Sequence, residues 1–294
     1  MRFYFPTLVL VSFLVFFCNS LASQQQERAE PFDWATISGG TWAEVELQLA
    51  MLPSGSLSLQ RNSGLTPLMY AAKYNPNPGV IKLLVEHGES VNKKSPEGMT
   101  PLMLAAMHNS ESHVMQSLVK LKSKINAQSA DGRTALMYAA EFSRAEFMLK
   151  SLIDSGAKIK LRDDLGEDAL MKGCKGGMMG AEIVRSLLEK GAAYKTKNKD
   201  GHTALLLAAA NGSYSALTVL LDAGANPNAK TKQGDTVLHF AAANFPSNIL
   251  HRLVSSKAKV SAKNKNGMTP LMFAASSTYY YSNITILINL GANV

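Results

Sequence analysis

The stretch Thr66-Pro67-Leu68-Met69-Tyr70-Ala71-Ala72 decides how the rest of the chain is read, because it recurs. TPLMLAA begins at Thr100, TALMYAA at Thr134, DALMKGC at Asp168, TALLLAA at Thr203, TVLHFAA at Thr236 and TPLMFAA at Thr269. The steps are 34, 34, 34, 35, 33 and 33 residues. One step before Thr66 lies Asp33-Trp34-Ala35-Thr36-Ile37-Ser38-Gly39, a degenerate copy. Self-similarity at a fixed period of this length marks a stacked-repeat architecture, in which each unit hides its apolar face only against a neighbour. The count is about eight units, the first and last atypical.

Each unit reads the same way. A turn glycine comes first, from Gly64 and Gly98 on to Gly234 and Gly267. The Thr then serves as a helix N-cap, its hydroxyl taking a free backbone N–H. Pro67, Pro101 and Pro270 stand at the first helical position, where no N–H is needed. The Ala pair keeps one face small, so that a neighbouring helix can pack close. A second helix follows, as in Val80-Ile81-Lys82-Leu83-Leu84-Val85. Gly88, Gly156, Gly191, Gly224 and Gly291 end these second helices, and the glycine is missing near Ser123 and Ser256. At the front, Thr41 with Glu44 forms a capping box, which predicts a helix from about Trp42 to Leu52. Phe32, Trp34 and Trp42 are expected to plug the first interface.

The T-P-L-x-x-A-A helix start, the L-L-x-x-G-A helix end and the turn glycine resemble the ankyrin repeat, over residues 31 to 294. The resemblance implies an all-α, ankyrin-repeat α-solenoid of about eight helix-turn-helix units joined by β-turn hairpin loops. It also implies a non-enzymatic protein-binding scaffold or adaptor that uses a concave groove lined by the turn tips and first helices. The family places His fourth in the heptapeptide. Here that place holds Met69, Met103, Met137, Met171, Leu206 and Met272, and only His239 keeps it. Apolar packing is expected to replace the Thr–His hydrogen bond elsewhere, with the methionines in the core. The unit at Asp168 departs furthest. Asp replaces Thr, Gly173-Cys174 replaces the Ala pair, and local looseness is expected.

The chain has 294 residues, 46% hydrophobic and 18% charged, an ordinary globular balance that excludes disorder and collagen-like sequence. Net charge is +8, which favours an acidic partner; no nucleic-acid partner is expected. Residues 1–22 read as a signal peptide: Arg2 is the only charge before Glu27, an apolar run spans Leu8 to Phe17, and Ser20 and Ala22 fit a peptidase site. The rival reading is an uncleaved membrane anchor, which Pro6, Asn19 and Ser20 weaken. Cys18 before a cleavage site would suggest a lipid anchor, but the bulk of Phe17 argues against it. Residues 23–30, SQQQERAE, form a polar tether. After cleavage Cys174 stands alone, so no intrachain disulfide forms, and a bacterial periplasm is the favoured destination. Secretion as a host-directed effector and self-assembly as a structural protein are the alternatives.

No catalytic, cofactor or metal constellation emerges. The six histidines lack metal-ligand spacing, and Gly173-Cys174-Lys175-Gly176-Gly177 lacks the P-loop spacing. Cys174 reads as close packing before it reads as a reactive thiol. An enzyme would need a pocket joining Cys174, His202 and the nearby acids. Asp163-Asp164 with Glu167-Asp168 reads as a solvated acidic tip, with cation binding as the rival. The partner-binding candidates, carried over from the resemblance position by position, are Tyr74, Met99, Met107, His108, Arg133, Phe142, Lys199, His202, Lys232 and Lys265. Lys195, Lys197, Lys230 and Lys263 fall beside Lys199, Lys232 and Lys265 on successive turns. Tyr280 and Tyr281 join the candidates because they precede a last helix, Asn283 to Leu290, that carries no charge. That end is expected to meet the partner or a second copy, so the chain is a monomer or a weak dimer.

Overall fold

The computed structural model describes residues 33–51, 64–142, 146–176, 180–277 and 280–294. Sixteen α-helices lie in these segments, in eight antiparallel pairs: α1 Trp34–Gly39 and α2 Trp42–Ala50, α3 Pro67–Tyr74 and α4 Pro78–Glu86, α5 Pro101–His108 and α6 Ser112–Lys120, α7 Ala135–Phe142 and α8 Glu146–Asp154. The second half repeats the plan with α9 Ala169–Gly173 and α10 Gly180–Glu189, α11 Ala204–Ala210 and α12 Tyr214–Asp222, α13 Val237–Asn244 and α14 Ser247–Ser255, α15 Pro270–Ser276 and α16 Ser282–Asn289. Odd-numbered helices pack on odd, even on even, and one continuous apolar core runs between the rows.

The local chemistry is that of the heptapeptide. The hydroxyls of Thr66, Thr100, Thr203 and Thr269 accept the N–H three residues on at 3.3–3.4 Å, and the Asp168 carboxylate does so at 3.0 Å. Each satisfies a donor that the first helical turn leaves free. His239 alone makes the Thr–His link: its Nδ1 lies 2.8 Å from the Thr236 hydroxyl and accepts the Thr236 N–H at 3.1 Å. Its Nε2 then lies 3.1 Å from the Met268 carbonyl of the next unit. Where Met69, Met103, Met137 and Met171 stand instead, they are buried. Met272 departs from the expected core role and is 48% exposed, because among the described residues no further unit covers the last one.

At each tip the chain folds back on itself, as in Ser95 N–H to Met99 O at 2.9 Å, and then bonds to the previous tip. Ala130 N–H reaches Glu97 O, Asp164 reaches Asp131, Lys199 reaches Leu165, Lys232 reaches Asp200 and Lys265 reaches Gln233, all within 2.8–3.1 Å. Glycine is required here for space as well as for φ: a Cβ on Gly98, at φ +74°, would lie 2.6 Å from Ala130 N.

A second set of ties joins the units below the tips. Asn92 donates from Nδ2 to Lys122 O at 3.2 Å and accepts Lys124 N–H at 2.6 Å. Asn126 does the same to Gly156 O and Lys158 N, and Asn228 to Lys257 O and Lys259 N. The helix ends lacking glycine place Lys122 and Lys257 at φ +68°. A left-handed L-residue costs about 1–2 kcal/mol, partly offset by the greater freedom glycine has when unfolded. Lys122→Gly and Lys257→Gly should therefore each raise stability by about 0.5–1 kcal/mol, read as a higher urea midpoint.

At the front, the Thr41–Glu44 capping box forms and α2 starts at Trp42 as expected, ending at Ala50 with Met51 as its C-cap. Trp34 plugs the interface, its ring edge-on to Tyr70 at a 5.3 Å centroid distance. Trp42 does not: it lies across the start of α4 near Gly79 and stays 44% exposed. Phe32 lies outside the described residues.

Candidate functional site

The face shared by the tips and the odd-numbered helices carries a graded surface, set by the fifth heptapeptide place. That place holds Tyr70, Leu104, Tyr138, Lys172, Leu207, Phe240 and Phe273 in successive units. At the front end Trp34, Tyr70 and Tyr74 form a chain of edge-on rings, and Lys73 Nζ lies 4.8 Å from the Tyr74 ring centre. At the back end His239, Phe240 and Phe273 make a similar series, with His202 tilted 6.3 Å from Phe240.

Between them sits an ion cluster. Lys172 is 1% exposed, and its Nζ lies 2.6 Å from both Asp163 Oδ2 and Glu167 Oε2. Lys175 reaches Glu167 at 2.7 Å, and Asn198 Nδ2 donates to the same carboxylate at 3.1 Å. Burial alone would raise the Glu167 carboxyl, but the hydrogen bonds from Lys172 and Lys175 outweigh it and leave the pKa below its usual value. The expectation of a solvated acidic tip is thus corrected: Asp163, Glu167 and Asp168 are buried, and only Asp164 faces solvent. Asp163 turns inward because its Oδ1 caps its own tip, accepting Leu165 N–H at 3.0 Å and Glu167 N–H at 2.8 Å. The equivalent Asn198 and Asn264 cap their tips in the same way. Lys172 and the burial of this triad were missed by sequence reasoning. The available signal was a charge at a place that is aromatic or aliphatic in every other unit.

The candidates are distributed along this face. Tyr74 and Phe142, at the ends of α3 and α7, are 49% and 41% exposed. Met99 and Met107 are half-buried against the core, while His108 is exposed, its pKa lowered by partial burial and by Lys73. Arg133 is held within the chain. It pairs with Glu141, lies 3.6 Å from Asp131 and 3.9 Å from Asp163, and stacks 5.2 Å from the Tyr138 ring centre. His202 is half-buried, with its pKa lowered by burial. Lys199, Lys232 and Lys265 are exposed and stand in one row through the tip-to-tip bonds, without an ion pair among the described residues. The neighbouring basic column is partly used up: Arg162 donates to Lys197 O at 3.0 Å, and Lys197 to Lys230 O at 3.1 Å.

The two tyrosines separate. Tyr280 lines a cleft of about 570 Å³ with Ala210, Asn211, Ala243 and Asn244, on the same side as the other candidates. Tyr281 is exposed at the start of the last helix, where Asn283 is fully buried and donates to Ala242 O and Phe245 O at 3.0 and 2.7 Å. Tyr279 lies outside the described residues. Exposed apolar side chains also occur on the opposite side: Leu47, Phe147 and Tyr214 stand on even-numbered helices.

Cys174 is fully buried and burial pushes its thiol pKa far up, which removes the thiolate a nucleophile needs. A Cβ on Gly173 would lie 2.9 Å from Ile183, so this glycine serves close packing. Among the described residues, no group of three His, Cys, Asp or Glu side chains is placed to hold a metal, and no helix is long and apolar enough to cross a membrane.

A family model described as ankyrin repeats (3 copies) matches residues 33–128, 68–163, 136–231 and 205–294. Among solved structures, the human ASB11 ankyrin repeat domain superposes with a TM-score of 0.69 at 21% identity, covering 78% of this chain and 100% of that one. No curated protein sequence matches the chain.

Proposed function

Because the chain belongs to the ankyrin-repeat family, whose repeats generally mediate protein–protein binding, we propose that it is a non-enzymatic scaffold taking a protein partner on the face of tips and odd-numbered helices. The observation that carries this reading is the pairing of exposed Tyr74 and Phe142 with a row of unpaired lysines on one face. Aromatic anchors and a charged rim are what binding faces use. The free lysines at Lys199, Lys232 and Lys265 favour an acidic stretch of the partner at the C-terminal half. The signal-like residues 1–22 support work outside the cytoplasm, in a bacterial envelope.

A photo-crosslinking residue at position 74 or 142, in intact host cells, tests the reading. One protein is expected to be captured at both positions and not from position 147 on the opposite face, attached to a chain whose mass lacks residues 1–22. With that protein purified, Tyr74→Ala with Phe142→Ala should weaken binding about tenfold or more, and Phe147→Ala should not. Equal capture from position 147 overturns the choice of face, and an intact Met1 overturns the export.

A further inference from the structure

The joint between the fifth and sixth units lacks a carboxamide tie that three other joints carry, as does the joint before it, where Lys160 holds the same place. At other joints the carboxamide of Asn92, Asn126 or Asn228 sits in a slot on the next unit, accepting one backbone N–H and donating to one backbone C=O. The residue at that place in the fifth unit is Lys195. By register, the two groups it fails to engage are Asn226 N–H and Gly224 C=O, and neither makes a hydrogen bond among the described residues. In place of the tie is a cleft of about 360 Å³ lined by Tyr194, Lys195, Lys197, Gly224 and Asn226. The Tyr194 hydroxyl lies 3.8 Å from where a Cβ on Gly224 would stand. Lys195 Nζ rests over the Tyr194 ring at 5.8 Å, and Lys197 spends one donor on Lys230 O. On the other side of the same joint α9 is only five residues long and barely touches α11, so the two units are held by the packing of α10 on α12 and by the tip bond from Lys199 N–H to Leu165 O.

We propose that this cleft is a binding site for a carboxylate, the side chain of an Asp or Glu on a partner protein. The slot is shaped for a planar group the size of a carboxamide, as the Asn ties show. Its free groups are nearly all donors: the Asn226 N–H, the Lys195 and Lys197 ammoniums and the Tyr194 hydroxyl. A carboxylate satisfies several of them at once with charge-assisted bonds, whereas a neutral carboxamide satisfies fewer and gains nothing from the two charges. The site is separate from Tyr74 and Phe142 and stands whether or not that face binds a partner.

Titration of the isotope-labelled chain with a short blocked peptide, Ac-Gly-Asp-Gly-NH2, tests the site by amide NMR. The Asn226 and Ala225 signals are expected to move and saturate by about 20 mM peptide, as suits an isolated ion-pair contact. The Asn-containing peptide, and sodium chloride at matched ionic strength, should leave them in place. Lys195→Asn supplies the missing carboxamide from within. It should abolish the shifts and raise the thermal midpoint by about 2–4 °C. Lys195→Ala, which cannot fill the slot, should weaken binding about fivefold or more without that rise. Equal shifts with the Asn peptide or with salt would show general screening at lysine-rich turns and overturn the site. So would binding by Lys195→Asn that matches wild type.

Discussion

Lys172→Ala should destabilise the array by about 3–5 kcal/mol, because it leaves two buried carboxylates without their shared cation. Asp163 and Glu167 each lie 2.6 Å from Lys172 Nζ and are almost fully enclosed, so water cannot replace the ammonium. Lys175 still reaches Glu167, but among the described residues the only other cation paired with Asp163 is the Arg133 guanidinium, 3.9 Å away and already paired with Glu141. The cost is that of an unpaired charge rather than the worth of the cluster. Replacing all three members separates the two. Asp163→Asn, Glu167→Met and Lys172→Leu each install a residue that another unit carries at the same place: Asn198, Met99 and Leu207. The triple variant should recover most of the stability lost in Lys172→Ala, since apolar substitutes for a whole buried ion cluster are often neutral or better. Urea unfolding of wild type, single and triple variants measures both. A triple variant as unstable as the single would show that Leu and Met cannot pack where the salt bridges stand.

The fold was legible because each unit declares itself through residues that act locally. Thr66, Thr100 and their equivalents cap the very helices they precede, and Gly98 and its equivalents close tips within four residues. The single His239 makes the bond that the fourth-place methionines forgo. None of this requires knowing which residue lies across from which. The ion cluster is different. Within its own turn, Asp163-Asp164-Leu165-Gly166-Glu167 is indistinguishable from a solvated loop. The burial of its carboxylates comes from Lys172, on the following helix, and from Asn198, one unit further on. Only the columns formed by stacking the units expose it, since Lys172 is the one charge at the fifth place. Lys195, like Lys160 one unit earlier, replaces the asparagine that stands at Asn92, Asn126 and Asn228. Trp42 was misread for the opposite reason: a large apolar residue at an array end need not face inward when Trp34 already fills the interface.

Glu89 should prove the most costly ordinary residue in the chain at neutral pH, and Glu89→Ala should stabilise it by about 2–3 kcal/mol at pH 8. The corresponding places in later units hold Ser123, Ala157, Ala192, Ala225, Ala258 and Ala292. Glu89 is therefore a carboxylate in a pocket cut for a methyl group, and its Oε1 is buried without a partner. Burial lifts its pKa from 4.5 to about 7, against the opposing hydrogen bond from Thr66 and the charge of Lys93. The sign follows from proton binding. Between about pH 4.5 and 7 the folded chain holds a proton on Glu89 that the unfolded chain has lost, so acidification through this window stabilises the fold. Above pH 7 the buried carboxylate is ionised and the full penalty applies. Burial holds His239, His202 and His108 below their usual pKa, and they act oppositely. Folding keeps them neutral, and their contribution is lost as pH falls below about 6.5. Wild-type stability measured by urea midpoint should therefore show opposing slopes between pH 5 and 7. Glu89→Ala removes one of them, so its advantage over wild type should be largest at pH 8 and shrink steadily toward pH 4.5. An advantage that stays constant with pH would assign the gain to packing of the alanine. A loss of stability at pH 8 would show that the hydrogen bond with Thr66 outweighs the burial of the charge.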